Sequence, residues 1–117
     1  MKFDFPIEKV EYEFELIGDC KIDITINERA VIGNVIHGHL LKGHNLLKIN
    51  FTKSDPTATE SYATLKKFEV NGGDFIDKVK TLEYKVDESK HQKTVGKLVN
   101  NLYFGYIGSM EIVLEQT

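Results

Sequence analysis

Apolar and polar residues alternate with period two along most of this chain. Val10, Tyr12, Phe14 and Leu16 are interleaved with Glu11, Glu13 and Glu15. A strand turns successive side chains to opposite faces, so such a run predicts a strand with one buried and one solvated face. The same rhythm recurs at Ile22, Ile24 and Ile26, at Leu47, Ile49 and Phe51, at Leu82, Tyr84 and Val86, and at Met110, Ile112 and Leu114. Shorter segments run over Val31–Ile36, interrupted by Gly33-Asn34, and over Phe68–Val70 before the turn Asn71-Gly72-Gly73. β-Branched and aromatic residues suit pleated, half-buried surfaces, and the turn signals fall at the spacing of sandwiches and barrels. One short helical turn is predicted within Asp74–Lys80. A second helical candidate lies at Lys93–Asn101, where Val95, Leu98 and Val99 have helical spacing and Gly96 weakens the pattern. The pattern therefore predicts an all-β, antiparallel sandwich with at most one short helix.

Composition narrows this picture. The chain has 117 residues, enough for one two-layer domain. A domain over residues 9–117 is expected, preceded by an N-terminal arm over residues 1–8. Phe3, Phe5 and Ile7 make that arm apolar, and an apolar arm is suited to docking on a neighbour. The net charge is −3 with the signs interspersed, and Arg29 is the sole arginine. No basic stripe is present for nucleic acid and no polybasic patch for a membrane. No apolar run approaches the roughly 18–20 residues that span a bilayer, and the charged, non-apolar start does not read as a signal peptide. A single cysteine, Cys20, excludes an internal disulfide and fits a reducing compartment.

Three sets of residues could carry chemistry. His37 and His39 share one strand face and His44 follows a glycine turn, a set that could ligate zinc or non-haem iron as in a metal-dependent enzyme of the cupin type. The bland reading of the same residues is a polar surface hairpin. Asp55, Thr57, Thr59 and Glu60 offer oxygens to calcium, or else form a solvated loop with an Asx-type turn at Pro56. Tyr62, Tyr103 and Tyr106 are the available platforms for stacking on a sugar ring, since the chain has no tryptophan. Tyr84 falls on the apolar side of its strand and reads as core. No nucleophile elbow or phosphate loop occurs; Gly105-Tyr106-Ile107-Gly108 lacks the following Lys-Ser/Thr. The chain is expected not to be an enzyme.

From Leu16 to Leu114 the order of features resembles a known family. The carriers are KIDITINERAVIGNVI leading into HGHLLKGHNLLKINFTKSDP, then YATLKKFEVNGGDF, TLEYKVDE and LYFGYIGSMEIVLEQ. Their turn chemistry and strand order are similar to the small jelly-roll β-sandwich of the carbohydrate-binding-module type, also found in virion proteins of tailed, notably marine, bacteriophages. The resemblance implies a jelly-roll fold and a non-enzymatic virion structural or accessory protein, decorating the capsid or attached to neck or tail. It implies assembly in the host cytoplasm, with other virion proteins or copies of itself as partners and neither nucleic acid nor membrane. The alternative it implies is a lectin-like module that binds glycan through Tyr62, Asp55 and the 54–61 loop, with calcium as a conceivable cofactor and no other.

Overall fold

The computed structural model describes residues 1–37, 40–91, 97–99 and 102–116, the side chains of 97–99 excepted. The alternating runs become strands β1 (Lys9–Ile17), β2 (Cys20–Ile26), β5 (Gly43–Lys53), β6 (Tyr62–Val70), β8 (Glu83–Val86) and β11 (Gly108–Gln116). Short strands join them: β3 (Arg29–Ala30), β4 (Val35–His37), β7 (Gly73–Asp74), β9 (Lys97–Val99) and β10 (Tyr103–Phe104). Two antiparallel sheets pack face to face as a sandwich. Sheet A has the order β3-β2-β5-β11-β8-β9, and sheet B the order β10-β6-β1-β4, with β7 also paired to β6.

Each sheet turns its apolar set inward. Val10 and Tyr12 of β1 and Leu65, Phe68 and Val70 of β6 meet Leu47, Ile49 and Phe51 of β5 and Met110, Ile112 and Leu114 of β11 in one buried cluster. Phe104 of β10 is the hub of its aromatic part, with ring centroids 5.7 Å from Phe14, 6.5 Å from Phe51 and 5.4 Å from Tyr84. Two tight hairpins use left-handed backbone at both central residues: Asn27 and Glu28 (φ 49° and 70°) between β2 and β3, and Asn71 and Gly72 (φ 50° and 81°) between β6 and β7. Asn and Gly tolerate that conformation, and its twist matches the flanking strands.

The single helix among the described residues, α1 (Ile76–Val79), falls within the predicted segment and is one turn long. Its first N–H groups are partly satisfied by Asp74, whose Oδ1 accepts from the Ile76 N–H at 3.0 Å. The helix expected over Lys93–Asn101 is corrected at Lys97–Val99, which pair with β8 as an edge strand; the rest of that segment lies outside the described residues. An unpaired β8 edge offers those residues a ladder of hydrogen bonds, and Gly96 disfavours the competing helix. No helix among the described residues is long and apolar enough to cross a membrane.

Because the strands run roughly along one direction, the sandwich has two distinct ends. One carries the β1–β2 turn, the 54–61 loop, residues 87–91 and the β10–β11 link; we term it the ring end. The other carries residues 1–8, the 41–43 turn and α1; we term it the strap end.

Candidate functional site

The ring end is built around a turn that only glycine can make. Gly18 has φ +75°, and a Cβ there would lie 2.6 Å from both the Glu60 carbonyl and Ser61 Oγ. The 54–61 loop thus lies directly against the β1–β2 turn. Three hydrogen bonds fasten the two: Asp19 N–H donates to Ser61 Oγ at 3.1 Å, Ser54 N–H donates to the Asp19 carbonyl at 3.3 Å, and Ser54 Oγ donates to Asp19 Oδ2. Inside the loop, Asp55 Oδ1 accepts from the Thr57 N–H at 2.9 Å and from Thr57 Oγ1 at 2.8 Å. Those bonds hold the Asp55 carboxyl below the usual carboxylate range. Lys53 donates to the Ala58 carbonyl, and burial lowers the pKa of its ammonium.

The tyrosines stand beside this loop. β6 begins at Tyr62, which faces Ile17 of β1; one row further along the sheet, Glu15, Thr64 and Tyr103 face one another across β1, β6 and β10. Side chains two apart share a face, so Ile17, Tyr62, Tyr103, Glu15 and Thr64 form one patch on the outer face of sheet B. The Tyr62 and Tyr103 rings lie 5.2 Å apart at 32°, close to an offset stack. Tyr103 is 49% exposed and Ile17 38% exposed. Tyr103 keeps its place because residue 105 is glycine: a Cβ there would come within 2.6 Å of the Tyr103 ring.

Tyr106 is 45% exposed on the β10–β11 link. His91 meets its ring edge-on at 5.2 Å, and Tyr84 donates its hydroxyl to the Tyr106 carbonyl. His91 Nε2 accepts from the buried Ile107 N–H at 2.7 Å. Burial, with a smaller effect from the Lys53 ammonium, pushes the His91 pKa down, which keeps the ring neutral and able to accept. Around the corner, a surface groove of about 620 Å³ on sheet A is lined by apolar surface from Phe51, Val86 and Ile107 together with polar groups of Asn50, Thr52 and Ser109.

Structure therefore gathers Asp55, Tyr62, Tyr103 and Tyr106 at one end and sends His37 and His44 to the other. His44 and Lys53 are nine residues apart on β5, about 30 Å of extended chain. His37 is exposed, and His44 Nε2 lies 3.4 Å from Glu115. His39 lies outside the described residues. Among the described residues, no group of three His, Cys, Asp or Glu side chains is placed to hold a metal ion.

The N-terminal segment also lies at the strap end, folded onto its own chain. Lys2 pairs in parallel with Glu115, and Phe3 N–H donates to the Glu115 carbonyl at 2.8 Å. Phe3 and Ile7 are buried, and Phe3 packs against Phe5 (5.3 Å) and Phe75 (5.1 Å). The side chains expected to dock on a neighbour are, in Phe3 and Ile7, part of this chain's core. The reason is the open edge of β11, which pairs with β8 only over Gly108–Met110 and takes the segment as a strap beyond it.

Sequence reasoning did not anticipate the amides of the strap end. Asn45, 1% exposed, accepts from the Asn27 amide at 2.8 Å and from the Leu41 N–H at 2.7 Å, and donates to the Leu41 carbonyl at 2.8 Å. Gln116 accepts from Ile7 N–H at 2.6 Å and donates to the Leu41 carbonyl at 2.8 Å. Asn71 accepts from Glu8 and Lys9 N–H groups and donates to the Pro6 carbonyl. Comparison with known protein families, with curated proteins and with solved structures finds no match to this chain.

Proposed function

We propose that this chain is a non-enzymatic carbohydrate-binding module, carried as an accessory component of a tailed-phage virion, and that it binds through the ring end. The observation that supports glycan binding is the Tyr62–Tyr103 pair, which leaves aromatic surface open beside a braced polar loop. Stacking on a pyranose needs such an exposed face, and hydroxyls around the ring need polar groups at its rim. Thr64 and Glu15 supply them in the adjoining row. The virion setting and the jelly-roll ancestry rest on the resemblance in turn chemistry and strand order. A single small platform binds weakly, and many copies on one particle would raise the effective affinity.

Three further features support this reading. Assembly through Phe3, Phe5 and Ile7 loses its motive once Phe3 and Ile7 are buried in their own chain. Cys20 is a poor nucleophile: its thiol donates to backbone carbonyls of Ile17 and Tyr62, and burial pushes its pKa up. Within the 54–61 loop Asp55 Oδ1 is taken up by Thr57, which supports binding without calcium. The test is an NMR titration of the full chain with neutral oligosaccharides, with and without calcium. The expected result is chelator-insensitive shifts at Tyr62 and Tyr103 that Tyr103→Ala abolishes. No shift with any sugar overturns the reading.

A further inference from the structure

Charge is distributed unevenly over the outer face of sheet B. In its strap-end half the charges neutralise one another: Glu11 lies 2.9 Å from Lys9 and 3.1 Å from Lys67, and Lys67 lies 3.6 Å from Glu69. The two lysines hold the Glu11 carboxyl below its usual range. In the ring-end half the same strand, β1, carries Glu13 and Glu15. Both are exposed, and neither has an ion-pair partner among the described residues.

Register explains the difference. β1 meets β6 through a bulge between Glu13 and Phe14, where Glu13 faces Lys67 and Phe14 faces Leu65, so Lys66 is the extra residue. Bulges re-aim the side chains around them, and Lys67 reaches Glu11 and Glu69, leaving Glu13 without it. Among the described residues of β1 and β6, the charges flanking the tyrosine row are then Glu13 and Glu15, with Lys66 at the bulge and Lys67 drawn toward Glu11 and Glu69. The nearest of these to the rings in the sheet is Glu15, in one row with Thr64 and Tyr103. An aromatic face with an unpaired carboxylate at its edge attracts cations twice over, through the ring quadrupole and through the charge. It repels anions for the same reason.

We propose that the tyrosine row selects glycans carrying a protonated amine, of glucosamine type, over their N-acetylated and uronate counterparts. This rests on the carbohydrate reading above and adds the class of sugar. The pyranose lies on the open face of Tyr103, and its ammonium group is held at Glu15, with Glu13 adding to the field. N-acetylation removes the charge while keeping the ring, and a uronate places a like charge beside Glu15.

The test compares chitosan, chitin and galacturonate oligomers of equal length by calorimetric and NMR titration of the full chain, in mildly acidic low-salt buffer. The expected result is chitosan binding about tenfold tighter than chitin and no binding of galacturonate. That advantage shrinks as salt is added. In the double variant Glu13→Gln with Glu15→Gln the chitosan-to-chitin ratio falls to about one, with an unchanged thermal midpoint showing that the fold is intact. Chitin binding as tightly as chitosan, or an advantage that survives the double variant, overturns the inference and leaves the carbohydrate reading standing. Oligolysine of matched charge binding as tightly as chitosan overturns it too, since charge alone would then suffice. Failure of every sugar overturns the carbohydrate reading itself.

Discussion

The two ends of this sandwich close the same strands by opposite means. At the strap end a β-bridge from Lys2 covers the β11 edge, and the buried amide of Asn45 with the half-buried amides of Asn27 and Gln116 takes up backbone groups that the strands leave over. Rings there are covered: Phe3 packs on Phe5 and Phe75. At the ring end the polar loop is just as well braced, through Gly18, Asp19 and Ser61, yet Tyr103, Tyr106 and Ile17 stay half open. A fold that covers its aromatic residues at one end and leaves them uncovered at the other would, under the proposed function, separate stability from recognition along a single set of strands. Exposed aromatic surface beside an ordered scaffold marks an interaction site.

That contrast can be broken at its root by Phe104→Ala. Phe104 is fully buried and joins both sheets beneath the ring end. The loss should be about 3–5 kcal/mol in a chemical denaturation experiment, because the cavity sits where three aromatic neighbours cannot close in. Asn45→Ala attacks the strap end. It removes the partner of the part-buried Leu41 N–H and Asn27 amide and should cost about 1–2 kcal/mol in the same assay. NMR shifts of Tyr62 and Tyr103 should stay in place if the ends are independent.

A smaller effect should appear with pH. The folded pKa of His91 lies below its ordinary value of 6.5, so its contribution is fully present above 6.5 and is lost as pH falls through the folded value. Protonated Nε2 cannot accept from Ile107, and the unfolded state takes up the proton first. Thermal midpoints should therefore fall on acidification below 6.5, and His91→Gln, which retains an acceptor and does not titrate, should flatten that part of the curve. The smallest effect on stability is expected from Tyr103→Ala, within about 1 kcal/mol because half the ring is already in water. Its consequence should be on binding, with at least a tenfold loss of sugar affinity by calorimetry. A large fall in stability with unchanged binding would make Tyr103 a structural residue and erase the contrast between the ends.

Strands were readable where alternation is unbroken. β2, β5 and β11 each show it across their length, and the Asn71-Gly72 hairpin follows from the two residues that accept left-handed backbone. By alternation β6 was read only at Phe68–Val70, because the Lys66 bulge puts two residues instead of one between the inward Leu65 and Phe68 and breaks the period. β9 and β10 are two or three residues long and carry no period at all. At the candidate site, Tyr62 and Tyr103 could be nominated from residue type, as could Asp55 from loop composition. Their convergence could not, since it depends on β10 pairing with β6 across some forty residues of chain. Asn45 and His91 gave no signal either. One amide or imidazole within an apolar context looks the same whether it is exposed or is the sole partner of a buried N–H.

The position of β11 bears on how the molecule is made. It follows both β5 and β8 in the chain, yet it lies between them in sheet A, and it also holds Lys2 and Phe3. No earlier portion of the chain can complete that sheet on the ribosome. The facing edges of β5 and β8 stay open until Gly108–Gln116 is in place, so completing sheet A depends on pairings between residues far apart in the sequence.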